Sequence, residues 1–271
     1  MTDTSTSTSS RAQDAVLVER SDGVIQLTLN APANRNSLQA PGIYEGLMAG
    51  LETLEQDNSL RAAIITGAGG AFCSGGDLRQ LASGGEEEVR KRMTRNAWLY
   101  RRIALSDKLI VAAVDGPAFG AGLGLATACD WIVAGEDALF CSAFTRVGAM
   151  PDAALFWSLP ARVGVAQTRR LMLWAHQGKA DEAMRIGLAD EHATEGSALP
   201  LAQQAARRIA QGPLQPYGRI KAGLRRGPMS LEQALDFQLD NAPGLFASDD
   251  FQEGAAAFFE KRAPKFGQRN S

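Results

Sequence analysis

Two short loops hold the residues best suited to chemistry. Gly75 and Gly76 in FCSGGDL, and Gly120, Ala121 and Gly122 in AFGAGLG, each follow a strand-like run at the point where a helix is expected to begin. The first N–H groups of a helix have no partner inside it and carry partial positive charge, so they attract anions and carbonyl oxygens that become anionic. Small side chains let a ligand come close to such backbone. If the two loops converge, two such donors would make an oxyanion hole, in which each is worth about 3 kcal/mol to a developing enolate. The same glycines would equally serve tight turns and close helix packing, and either loop alone is explained that way.

A base would have to stand near such a hole. Asp152, in VGAMPDAALFWSLPARVG, is flanked by Met150, Ala153, Ala154, Leu155 and Phe156. Burial among apolar neighbours raises a carboxyl pKa and makes its anion a better base near neutral pH. Following a proline, Asp152 is also well placed to cap or start a helix. The aromatics Trp98, Tyr100, Phe119, Phe144, Phe156 and Trp157 could line an acyl pocket. Core packing explains them as well, and only Phe144 is retained as a pocket wall. His176 and His192 stand in no ligand-type spacing with Cys73, Cys129 and Cys141, which argues against a zinc site or a histidine-based triad. The cysteines are odd in number and set among small or apolar residues, so they read as reduced packing residues.

The elements that must position these loops are legible as periodicities. Strand patterns at 15–20 (AVLVER) and 23–30 (GVIQLTLN) flank Ser21 and Asp22, with Gly23 next, as in a hairpin. From Ser37, a candidate N-cap, the residues Ile43, Leu47, Leu51 and Leu54 recur at helical spacing. A buried-type strand follows at 61–69, then the first glycine loop, then a helix that opens in an acidic GGEEE run and ends near Leu105. The order repeats with a strand at 109–116, a small-residue helix at 118–130 and a strand at 131–136. Strands alternating with helices predict right-handed crossovers and a largely parallel sheet. From Pro151 onward nearly everything reads as helix broken by glycine or proline. The expectation is an α/β fold with a polar tail over residues 1–13, a core over 14–200 and a C-terminal helical region over 201–271.

Composition sets outer limits. A chain of 271 residues, 45% apolar and 21% charged, has the make-up of a soluble globular protein that needs no staples. A net charge of -2 offers nucleic acid no global basic field, and the pairs Arg101-Arg102, Arg169-Arg170 and Arg225-Arg226 read as solvated helix faces. The opening MTDTSTSTSS lacks the apolar stretch of a secretory signal, and no apolar run approaches the ~20 residues that span a bilayer. A cytoplasmic protein with no membrane and no nucleic-acid partner is expected.

Four segments, LNAPANRNSLQ (29–39), ITGAGGAFCSGGDL (65–78), VDGPAFGAGLGLATACDWIVAGEDALF (114–140) and FQEGAAAFFEKRAPKF (251–266), resemble the crotonase, or enoyl-CoA hydratase/isomerase, superfamily in order and spacing from Val16 to Phe266. The resemblance implies a crotonase-like spiral of ββα turns and an oxyanion hole made by the N–H groups of Gly76 and Ala121, holding the enolate of an acyl-CoA thioester. It implies no tightly bound cofactor, with coenzyme A arriving as part of the substrate and its adenine and phosphates lying near Arg35 and Arg79. A homotrimer or a dimer of trimers is implied too, in which the C-terminal helix of a neighbouring subunit brings Phe258 and Lys261 to the coenzyme. Basic side chains beside helix starts suit phosphates, although a solvated surface role accounts for Arg35 and Arg79 as well.

Departures from the superfamily pattern bear on the reaction. A hydratase positions water with two glutamates, and the matching positions here are Gly124 and Phe144, so addition of water by acid and base loses both its groups. Asp152 and the C-terminal tail look most like the double-bond isomerases of phenylacetate degradation. There the matching Asp takes a proton from the carbon alpha to the thioester and returns it at the gamma carbon. Dehalogenases of the superfamily carry a Trp at the position matching Phe144 and a His near Ala97 and Trp98, and this chain has neither. A hydratase-like enzyme with unusual acids, a hydrolase and a non-catalytic acyl-CoA binder are the remaining alternatives.

Overall fold

The structure, a computed structural model, describes residues 15–267, so the polar tail expected over 1–13 lies outside the described residues. Strands β1 (Val16–Ser21) and β2 (Val24–Leu29) form an antiparallel hairpin with Ser21 opposite Val24. Asp22 and Gly23 between them have φ of 51° and 75°, the left-handed turn whose twist matches that of a hairpin. Helix α1 (Ile43–Gln56) returns the chain to β3 (Ala62–Gly67), and the first glycine loop leads into the short α2 (Leu78–Ser83) and the long α3 (Glu86–Leu105). The second cycle is β4 (Leu109–Val114), β5 (Pro117–Phe119), α4 (Ala121–Ala128) and β6 (Trp131–Ala134). A third runs through β7 (Leu139–Cys141), α5 (Leu155–Leu173), β8 (Gln177–Lys179), α6 (Ala180–Arg185) and β9 (Glu191–His192). Helices α7 (Leu199–Ala210), α8 (Leu214–Leu224), α9 (Leu231–Phe246) and α10 (Asp249–Glu260) complete the described chain.

The main sheet has the order β1-β2-β3-β4-β6-β9 and is parallel beyond the first hairpin, while β5, β7 and β8 make a second, smaller sheet. Parallel strands covered on both faces need apolar residues at every position, and β3 shows it. Ala63 and Ile65 join the main core with Leu27 and Ile110, whereas Ala62 and Ile64 meet Ala202 and Ala206 of α7 on the other side. Alanines on α7 let that helix lie close to the sheet, and the position 200/201 chosen as a boundary falls inside it.

Three local expectations need correction. Helix α1 starts at Ile43 behind Gly42, whose φ is 84°, and not at Ser37. The Ser37 hydroxyl instead donates to the Gly75 carbonyl at 2.8 Å, which ties the 31–40 segment to the first glycine loop. The small-residue helix begins at Ala121 because Ala118 pairs with Cys73 in a parallel bridge. The second sheet was not foreseen, since strands of three residues are too short to show alternation. All three cysteines are free and buried, and burial pushes the Cys73 and Cys129 thiols up to about 12. Among the described residues no helix is long and apolar enough to cross a membrane.

Candidate active site

The two glycine loops meet. Cys73 donates its N–H to the Pro117 carbonyl and accepts the Phe119 N–H on its own carbonyl, both at 2.9 Å, so the segments run side by side from Cys73 and Ala118. Gly76 and Ala121 each lie three residues further on. Only glycines permit the crossing: a Cβ on Gly122 would stand 2.1 Å from the Cys73 carbonyl oxygen. On Gly75, at φ 83°, it would stand 2.5 Å from the Phe119 oxygen and 2.9 Å from the Ala121 nitrogen. Among the described residues no protein acceptor takes the N–H of Gly76 or of Ala121, the first residue of α4. Two free backbone donors at converging chain turns are the arrangement that holds a carbonyl oxygen as it gains charge.

Gly76 and Ala121 both line a cavity of about 990 Å³, at the upper end of the range for small-molecule sites. Asp77 and Asp152 are the carboxylates on its wall. Asp77 caps α2, accepting the Arg79 N–H at 2.9 Å, with its own N–H on the Gln39 side-chain oxygen. Asp152 does not cap α5: that position belongs to Ala154, and the Leu155 N–H donates to the Asp152 carbonyl at 3.0 Å. Its Oδ1 is buried with no hydrogen-bond partner, and burial raises its carboxyl above the ordinary aspartate value, opposed by a hydrogen bond to its own backbone and by the Arg92 charge. Ala153 and Ala154 both take positive φ, 55° and 60°, which turns the chain sharply behind the carboxylate.

Phe144 lines the same cavity, as do Arg35 and Arg79, which are exposed at its edge. Phe258 and Lys261 are not brought to it. They lie at the end of α10, where the Phe258 ring is 79% exposed and Lys261 ends the helix in a left-handed turn. Of the aromatics assigned to core packing, Tyr100 is buried, whereas Trp98, Phe156 and Trp157 are exposed and Phe119 joins the cavity wall.

The chain matches the family Enoyl-CoA hydratase/isomerase over residues 19–269. It is 36% identical to a Rhodobacter capsulatus protein named "Probable enoyl-CoA hydratase", covering 93% of this chain and 97% of that one. It is 34% identical to the 1,2-epoxyphenylacetyl-CoA isomerase of Escherichia coli, covering 90% and 95%. The crystal structure of an enoyl-CoA hydratase from Polaromonas sp. JS666 superposes with a TM-score of 0.86 at 30% identity, over 92% of this chain and 98% of that one. The chain belongs to the enoyl-CoA hydratase/isomerase family. Enzymes of this family act on coenzyme A thioesters.

Gly124 packs against the turn that carries Asp152. A Cβ there would lie 2.4 Å from the Ala153 carbonyl oxygen and 2.5 Å from its Cβ. The turn that presents Asp152 fills the space in which a glutamate at 124 would need to stand.

Two sets of supporting contacts, those of Asn36 and of Tyr100, are not legible in the sequence. Asn36, fully buried at φ 55°, accepts the Ala31 N–H and donates to the Ala68 and Ala71 carbonyls at 2.9 Å and 2.6 Å. It thereby fixes the loop that carries Arg35, whose own carbonyl accepts the Ser74 N–H. Asparagine tolerates the left-handed conformation, and that preference next to a proline-containing turn was the available signal. Tyr100 donates its phenol to the Ala121 carbonyl at 3.3 Å, and burial together with the Asp152 charge raises its pKa. It ties α3 to the first residue of α4, a contact no spacing along the chain announces.

Proposed function

We propose that the protein shifts the double bond of an enoyl-CoA, with Asp152 as the proton carrier. The thioester oxygen sits between the Gly76 and Ala121 N–H groups. Asp152 removes a proton from the alpha carbon of a 3-enoyl thioester, and the electron pair moves into the carbonyl as an enolate that the two amides stabilise. The enolate re-forms the carbonyl as the beta-gamma double bond becomes alpha-beta, and Asp152 returns the same proton to the gamma carbon. No water enters and no cofactor is consumed. Coenzyme A binds as part of the substrate, with its phosphates at Arg35 and Arg79. The working unit in this reading is a homotrimer or dimer of trimers, in which a neighbour's Phe258 and Lys261 complete the coenzyme site.

The observation that carries the reading is the unpartnered, buried Oδ1 of Asp152 in a cavity whose other carboxylate is committed to a helix cap. A hydratase of the two-glutamate kind is disfavoured by Gly124 and Phe144, which offer no carboxylate. The test mixes the purified protein with a 3-enoyl-CoA and follows the conjugated 2-enoyl product by absorbance. Wild type should turn over, and Asp152→Asn should lose about 10²- to 10⁴-fold in kcat. Normal turnover by the variant would remove Asp152 from the mechanism, and hydration of a 2-enoyl-CoA in place of isomerisation would replace the reading altogether.

A further inference from the structure

Three buried polar side-chain atoms that lack a hydrogen-bond partner, Arg92 Nη2, Ser142 Oγ and Asp152 Oδ1, lie on the wall of the one cavity. Folded chains pair almost all such atoms, so an unpaired group that lines a cavity is a group held ready for a ligand. Asp152 has its use in the proton transfer. A plain enoyl chain offers nothing to Arg92.

Arg92 is unusual among the basic residues of its helix. In α3, Arg90 pairs with Glu86, Lys91 with Glu87, Arg95 with Glu45 and Arg102 with Glu55, and Arg101 lies over the Trp98 ring, whereas Arg92 has neither an ion pair nor a ring contact among the described residues. It is half-buried and turned to the cavity, with Asn96 one turn further on the same face and also on the wall. It shares the cavity wall with Asp152, and its charge acts on that carboxyl.

We infer that Arg92 is a specificity-determining residue that selects acyl-CoA thioesters whose acyl chain carries an oxygen acceptor, a carboxylate or a hydroxyl, beyond the reacting carbons. A guanidinium with free N–H groups in a partly dry wall prefers such an oxygen to hydrocarbon, since desolvating it against methylenes leaves its donors unpaired. A site built around a hydrogen-bond donor discriminates by leaving that donor unpaired with the wrong substrate.

The inference rests on the acyl-CoA reading of the cavity but not on the isomerisation step, so binding is measured with saturated, unreactive thioesters. Calorimetry compares plain, omega-hydroxy and omega-carboxy acyl-CoAs matched at several chain lengths against wild type, Arg92→Met and Arg92→Lys. Wild type should bind an oxygenated thioester about 10- to 100-fold more tightly than its plain partner. Arg92→Met should erase that ratio while keeping the affinity for the plain thioester, and Arg92→Lys should restore part of it. The carboxylate and hydroxyl series identify which oxygen is read. Equal binding of all the thioesters by wild type, or equal weakening of all of them by Arg92→Met, overturns the inference. If Arg92→Met does not fold, the wild-type ratio and the lysine variant still decide. A preserved binding ratio with no turnover of 3-enoyl-CoAs would count against the isomerase reading alone.

Discussion

At the scale of the residue, Asp152 couples function to stability. Its carboxyl is raised in the folded protein, chiefly by burial, so the folded state holds the proton more tightly than the unfolded chain does. The sign follows from linkage. The stability that Asp152 contributes is fully present below the unfolded aspartate value of about 3.9 and is lost as pH rises from there through the folded value. Asp152→Asn removes the ionising group and should unfold at a higher denaturant concentration than wild type at neutral pH, with the gap closing toward acid pH. Chemical denaturation at two pH values checks this, and a variant less stable than wild type at neutral pH would contradict it. The activity profile should carry an acid limb whose apparent pKa lies above the ordinary aspartate value. Asn36 is the opposite case, because removing its side chain strands two carbonyls and one N–H in the interior. Asn36→Ala should cost about 2–5 kcal/mol in equilibrium unfolding.

At the scale of the element, what the sequence revealed and what it hid have separate physical causes. The small residues of the two loops are visible because a close backbone crossing excludes side chains, and their convergence follows once Cys73 and Ala118 pair. The long amphipathic α1 and α3 and the apolar β3 and β4 announce themselves through many residues of periodic burial. The second sheet, the Asn36 lock and the Tyr100 bridge each rest on contacts between residues far apart in the chain, where no local pattern exists. The Asp152 turn shows the same limit, since its fit against α4 depends on Gly124 some thirty positions earlier. Gly124→Ala should therefore act on catalysis through packing. Its Cβ must displace Ala153, at about 1–3 kcal/mol of overpacking, and the adjacent carboxylate moves with it. A loss of about tenfold or more in kcat, with KM little changed, is the expected kinetic signature, because small misplacements of a reacting group are costly. Unaltered kcat alongside a lowered melting temperature would separate the turn from the reaction.

At the scale of the whole molecule, the described chain leaves apolar surface that folding has not covered. On α9, Leu231, Leu235 and Leu239 recur every four residues and are exposed, so they form one stripe, and the Phe258 and Phe259 rings on α10 are 79% and 80% exposed. Contiguous apolar patches of this kind mark interfaces. In the proposed trimer of this 28.8 kDa chain, such a stripe would be covered and α10 would reach a neighbouring cavity. Light scattering should give a mass of three or six chains for wild type, and charged residues at Leu235 and Leu239 should lower it. If the neighbour supplies contacts to the nucleotide end of coenzyme A, dissociation should raise KM about tenfold for the full thioester. The KM for a pantetheine thioester, which lacks the nucleotide, should hardly change. Equal effects on both substrates would mean that the α9 stripe stabilises the subunit itself and that each cavity works alone.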